Sequence, residues 1–119
     1  MPIKTADQVL ADAKAQIKEY TPAEVMAMQK RGEKMVLLDV RDLPEVNLGK
    51  IPGAIHISRG RLEQNIEAAV PRGANLIIYC ASGNRSALAA VSLRDMGYEH
   101  VSSMSAGING WSAIGGDIE

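Results

Sequence analysis

Leu76-Ile77-Ile78-Tyr79 runs directly into Cys80, the single cysteine of the chain, and then into Ala81-Ser82-Gly83-Asn84-Arg85-Ser86. An apolar strand, a thiol, a short polar loop and a helical stretch over 86–96 follow in that order. This order predicts a sulfur placed where backbone N–H groups converge and a helix N-terminus faces the reacting atom. Such surroundings favour thiolate over thiol and cradle an anion. A helix terminus contributes about 0.3–1 kcal/mol, less than the ~1.4 kcal/mol of one pKa unit. The N–H groups of Ala81 to Ser86 must therefore supply most of the stabilisation. Gly83 permits the tight curve or a positive φ, Ser82 and Asn84 line the mouth, and Ser86 is placed to cap the helix. Arg85 either draws an anion to the loop or ties the loop down through an acidic partner such as Asp39.

A second polar cluster ends another apolar run. Met35-Val36-Leu37-Leu38-Asp39-Val40 reads as a central strand covered on both faces, followed by Arg41. A carboxylate closing a buried strand needs partners, which loop N–H groups or Arg41 would supply. Asp39 is thus expected to support the site rather than act as a base, because a thiolate needs none. Arg41 alternatively pairs with Glu45. His56, inside the run Ala54-Ile55-His56-Ile57, reads as a hydrogen-bonded structural residue.

The elements that must position these groups alternate between strand and helix. Thr5 and Gln8 have capping-box spacing, with Val9, Leu10, Ala13 and Ile17 as a helical stripe. Thr21, Pro22 and Glu24 start a second helix that Gly32 stops, and Ile17 to Tyr20 between the two reads as extended. Residues 62–70 form a helix candidate ended by Pro71, residues 86–96 a helix ended by Gly97, and residues 101–104 a last strand. Residues 113–119 read as a turn or loop. The expected fold class is α/β: a small three-layer domain with a mostly parallel central sheet flanked by helices. Ligands of such sheets gather beyond the C-terminal strand ends, where Asp39 and Cys80 both fall. Residues 1–16 are read as an N-terminal helical extension and 17–119 as the domain itself.

Composition narrows the classes. At 119 residues the chain holds one compact core. With no phenylalanine and Trp111 the only tryptophan, aliphatic residues and methionine must fill it. A net charge of -1 gives no general attraction to nucleic acid or to an anionic membrane, and no apolar stretch nears the ~20 residues of a membrane span. One cysteine excludes an internal disulfide, and with His56 and His100 far apart no metal site and no cofactor is expected. The opening Met1-Pro2-Ile3-Lys4 does not read as a signal peptide, so a reducing, cytoplasmic setting is the expectation.

Taken together these stretches resemble the rhodanese-like domain family. Leu37-Leu38-Asp39-Val40-Arg41 is similar to its first strand motif. Gly49-Lys50-Ile51-Pro52-Gly53-Ala54 is similar to its G-H-I-P-G-A segment, with Lys50 where histidine is usual. Cys80 to Ser86 fits the C-x-x-G-x-R-S active loop, and Gly107-Ile108-Asn109-Gly110-Trp111 the closing glycine–tryptophan pattern. Ala106-Gly107 stands where many relatives have two glycines. The resemblance runs over about residues 17–116, in the family's motif order. It implies sulfane-sulfur transfer through a persulfide on Cys80, from thiosulfate or a persulfide donor to cyanide, a small thiol or a thioredoxin-like acceptor.

Two other readings stand beside it. Cysteine-dependent phosphatases and arsenate reductases also pair a cysteine with an arginine around an oxyanion. Protein tyrosine phosphatases set the two one residue further apart than here, where four residues separate Cys80 from Arg85. The smaller ring suits a sulfur atom better than a phosphoryl group. The other reading is a sulfur-relay or regulatory binding module without turnover, in which the Val9, Leu10, Ala13 and Ile17 face either docks a protein partner or covers the sheet.

Overall fold

Both capping boxes form. The Thr5 hydroxyl accepts from the Gln8 N–H at 3.2 Å while the Gln8 side chain accepts from the Thr5 N–H at 2.7 Å, opening α1 (Ala6–Gln16). Thr21 and Glu24 do the same at 3.1 and 2.9 Å for α2 (Pro22–Lys30), with Pro22 at the first helical position, where no N–H is needed. In this computed structural model, which describes residues 3–119, β1 (Lys18–Tyr20) lies between those helices. There follow β2 (Val36–Asp39), α3 (Leu43–Asn47), β3 (Ile55–His56), a 3-10 turn at Arg59–Arg61 leading into α4 (Leu62–Ala69), β4 (Leu76–Tyr79), α5 (Asn84–Asp95), β5 (Val101–Met104) and α6 (Gly107–Ala113).

The five strands form one sheet in the order β1-β5-β4-β2-β3, and every pairing is parallel. All strands therefore finish at the same edge. Asp39 is aligned with Tyr79, so the chain leaves β2 and β4 side by side, and Val40 donates to the Tyr79 carbonyl at 3.1 Å.

Side chains alternate between two covered faces, as the strand period requires. Leu38, Ile78 and Val101 pack with Leu62, Ile66 and Leu93 on the α4–α5 side. Leu37, Ile77, Tyr79 and Met104 pack with Val25, Met28 and Trp111 on the α2–α6 side. Leu38, Ile77 and Ile78 are wholly buried, each contributing roughly 1.5–3 kcal/mol by leaving water. Met28 and Met104 fill gaps in the second cluster, and the Trp111 indole N–H donates to the Asp117 carbonyl at 2.9 Å, holding the C-terminal segment down.

Helix α1 lies along α5. Ala13 is buried and Leu10 and Ile17 half-buried, while Val9 stays 43% exposed. Arg94 of α5 donates to the Gln16 carbonyl and to its side-chain oxygen, tying the helices at one end.

Three local features depart from the sequence reading. Helix α5 begins at Asn84, two residues before Ser86, because Gly83 takes the N-cap position at φ +96°. Ser86 is therefore inside the first turn and is not the cap. Helix α3 and helix α6 were not expected: the first has only five residues, and the second carries Gly107 and Gly110, each costing about 1 kcal/mol of helix propensity. No helix among the described residues is long and apolar enough to cross a membrane.

Candidate active site

The loop after β4 is fixed by its neighbours before it does any chemistry. The Cys80 carbonyl accepts from the Ile108 N–H at 2.9 Å and the Ala81 carbonyl from the Asn109 N–H at 3.1 Å. The first turn of α6 thus finds acceptors in the loop for donors that have none in the helix. Gly107, at φ +51°, makes the approach possible, since a Cβ there would collide with both carbonyl oxygens. Its neighbour Ala106 is also left-handed, at φ +60°, a conformation that glycine adopts far more readily than alanine. Gly83 sits against the Ala106 nitrogen, where a Cβ would come within 3.2 Å.

The Cys80 Sγ accepts from the Gly83 N–H at 3.1 Å and the Ser86 N–H at 3.4 Å, and the Ser86 hydroxyl lies 3.4 Å away. Cys80 is 1% exposed. Burial alone pushes its thiol pKa up, but the Ser86 hydroxyl and the N–H groups of Ser86, Gly83 and Ser82 outweigh it and bring the thiol below its ordinary value. Of the loop residues expected to face the sulfur, Gly83 and Ser86 make the close contacts. Among the described residues, the N–H groups of Ala81, Asn84 and Arg85 make none to it. Ser82 and Asn84 are exposed at the loop surface.

The charged residues pair differently from the sequence reading. Arg85 does not reach Asp39. Its two terminal nitrogens grip Glu45 at 2.7 and 2.9 Å, and the same carboxylate also accepts from the Asp42 N–H at 2.9 Å. Glu45 thereby joins the N-terminus of α3 to the first turn of α5. The Arg85 guanidinium holds the Glu45 carboxyl at a pKa of about 2, and Glu45 in turn raises that of Arg85. Asp39 is instead saturated by Arg41, whose backbone N–H, Nε and Nη2 donate at 2.9, 3.1 and 2.8 Å. Arg41 meets Glu45 only through the main-chain carbonyl at 3.4 Å, and also donates to the Gly49 carbonyl at 2.6 Å. The alternative ion pair between Arg41 and the Glu45 carboxylate does not form, because the guanidinium follows the buried strand end inward.

Glu45 and Ser103, whose hydroxyl is 2.8 Å from that of Ser86, are site residues that the sequence reading missed as such. Glu45 had a signal: Asp42-x-x-Glu45 with Pro44 between them is a helix-start pattern. His56 Nε2 donates to the Arg41 carbonyl at 2.7 Å and holds β3 against the end of β2. A shallow depression of about 300 Å³ beside the loop is lined by Arg41, Glu45, Leu48, Ala81 and Ile118, with Leu48 92% exposed at its rim. A cavity of about 460 Å³ between α1 and α5 is away from the thiol. No cluster of metal-ligating side chains occurs among the described residues.

A parallel sheet with a cysteine-bearing loop between β4 and α5, closed by a glycine–tryptophan segment, defines a small α/β domain of the rhodanese type. Residues 21–114 match the model of the Rhodanese-like domain, and the chain belongs to that family. A Rhodopseudomonas palustris protein of unknown function, described as a possible tyrosine phosphatase, superposes with a TM-score of 0.87 at 35% identity, over 100% of this chain and 99% of the other. The thiosulfate sulfurtransferase GlpE of Pseudomonas fluorescens is 32% identical over 97 residues, 82% of this chain and 86% of that protein. A sulfurtransferase of Allochromatium vinosum is 31% identical over 83 residues, 70% of this chain and 77% of its own length. The chain spans 43% of YrkF of Bacillus subtilis, at 31% identity.

Proposed function

We propose that the protein is a sulfurtransferase that carries sulfane sulfur on Cys80, taken from thiosulfate or a persulfide donor and passed to cyanide or a thiol. The observation that carries this reading is the set of polar groups gathered on one sulfur: the Gly83 and Ser86 N–H groups donate to Sγ, and the Ser86 hydroxyl is in hydrogen-bond reach, all within 3.1–3.4 Å. It supplies what a thiolate nucleophile requires without a base. The thiolate attacks the outer sulfur of thiosulfate, the sulfur–sulfur bond of thiosulfate breaks, and sulfite leaves with the bonding pair. Cys80 is left as a persulfide. Cyanide or an acceptor thiolate, whether a small thiol or a thioredoxin-like dithiol, then attacks the outer sulfur and restores the Cys80 thiolate. The relatives named sulfurtransferases support the reaction class.

The likeness to a protein described as a possible tyrosine phosphatase raises phosphoryl chemistry as a second reading. Two features weigh against it. Only four residues lie between Cys80 and Arg85, and both terminal nitrogens of Arg85 are already taken by Glu45. An oxyanion would find the Nη1–Nη2 edge of the guanidinium already taken by a carboxylate.

Incubation with thiosulfate followed by intact-mass measurement decides the matter. The wild type is expected to gain one sulfur, about 32 mass units, reversibly on thiol addition. Cys80→Ser is expected to gain none. Hydrolysis of a phosphotyrosine analogue that disappears in Cys80→Ser, with no sulfur gain in the wild type, would overturn the proposal.

A further inference from the structure

Ser103 is out of place for its position. It is aligned with Ile78 across the sheet and lies two residues from Val101, both part of the apolar cluster under α5, yet it carries a hydroxyl and is 0% exposed. A buried hydroxyl on an apolar face needs a partner. Its partner is the Ser86 Oγ at 2.8 Å, which in turn lies 3.4 Å from Cys80 Sγ. Ser86 is also 0% exposed.

The direction of this chain follows from counting protons. Each hydroxyl has one proton to donate and lone pairs to accept with. Among the described residues Ser103 Oγ has no hydrogen-bond partner besides Ser86, so its proton goes to Ser86 Oγ or is left buried without an acceptor. The Ser86 proton then has to point the other way, at the sulfur. Sγ accordingly accepts from the Ser86 hydroxyl as well as from the N–H groups of Gly83 and Ser86. A protonated thiol would have to donate into a loop whose facing groups all donate.

We propose that Ser103 is a positioning residue for the sulfur chemistry: it donates to Ser86, turns the Ser86 hydroxyl proton toward Cys80 Sγ, and so sets the pocket to hold sulfur deprotonated. The role rests on Cys80 being the nucleophile proposed above. It assigns to β5, which among the described residues makes no hydrogen bond to the sulfur, a share in its reactivity.

The test is the pH profile of Cys80 alkylation by iodoacetamide, read by intact mass, for the wild type, Ser103→Ala, Ser86→Ala and the double variant. The charged groups around the loop are Arg85 on α5, Glu45 on α3 with Asp42 at its N-cap, and the Asp39–Arg41 pair at the end of β2; β5 and α6 contain no ionisable residue. None of these is altered in the variants. Ser103→Ala is expected to shift the profile to higher pH and slow alkylation on its acidic limb by about two- to tenfold, the worth of one hydrogen bond. Ser86→Ala is expected to shift it at least as far, and the double variant no further than Ser86→Ala alone. A Ser103→Ala profile that coincides with the wild type would overturn the role. So would a Ser103→Ala effect that persists undiminished without the Ser86 hydroxyl. Alkylation needs no sulfur donor, so a protein that takes no sulfur from thiosulfate still reports on Ser103. A normal sulfur gain with an unmoved profile would sink this inference alone.

Discussion

Replacing Asp39 by alanine tests whether the end of β2 is held by a single buried ion pair. Asp39 is 0% exposed and Arg41 6%, and the carboxylate takes a backbone N–H and two guanidinium nitrogens of Arg41 at 2.8–3.1 Å. In Asp39→Ala the guanidinium keeps only the carbonyls of Gly49 and Glu45, and its charge stays buried without a counter-ion. Breaking a buried pair in this way costs about 3–5 kcal/mol, a large part of the roughly 5–15 kcal/mol that holds a domain folded. Urea denaturation followed by circular dichroism measures it. The midpoint is expected to fall by on the order of 2 M with the slope nearly unchanged. Removing the charge as well, in Asp39→Ala/Arg41→Met, is expected to return about 2 kcal/mol, because an apolar replacement avoids the unpaired cation. A loss below about 1 kcal/mol in the single variant, or a double variant no more stable than the single, would refute the reasoning.

Other outcomes follow from the same contacts. Glu45→Gln should lower stability at neutral pH by about 0.5–1 kcal/mol, a figure kept small because the pair with Arg85 is partly solvated. The Glu45 carboxyl titrates near 2 when folded against 4.5 ordinarily. Its contribution is therefore complete above about pH 4.5 and fades as the pH falls toward 2. The stability gap between wild type and Glu45→Gln should close over that window; a gap that is constant from pH 7 to pH 2 would contradict the ion pair. Gly107→Ala should fold poorly, since the new methyl group meets the Cys80 and Ala81 carbonyl oxygens at a left-handed residue. A loss of about 2–3 kcal/mol and on the order of 10 °C in Tm is expected, together with loss of sulfur loading. An unchanged Tm would show that the α6 contact with the loop is not tight.

Much of the architecture is written locally. The strands at 36–39 and 76–79 are runs of apolar residues that can be satisfied only by cover on both faces. The first two helices begin at threonines whose side chains and whose Gln8 and Glu24 partners lie within one turn. Helix α6 was hidden for the opposite reason. Its glycines argue against a helix in isolation, and it forms because the Ile108 and Asn109 N–H groups find the carbonyls of Cys80 and Ala81.

The same division runs through the site. The sequence by itself places a thiol between a buried strand and a helix, with Gly83 to bend the loop and N–H groups to fill it, because these relations span seven consecutive residues from Cys80 to Ser86. It does not say which carboxylate meets which arginine. Two acids and two arginines allow two pairings, and the choice depends on where α3 lies over the start of α5, forty positions apart in the chain. Nor does it orient the Ser86 hydroxyl. That falls to Ser103, 17 residues later, which only the parallel pairing of β4 with β5 brings beneath the loop. Short-range hydrogen bonding is encoded where it is made; long-range charge pairing and proton direction are decided by the packing of elements that the chain joins late.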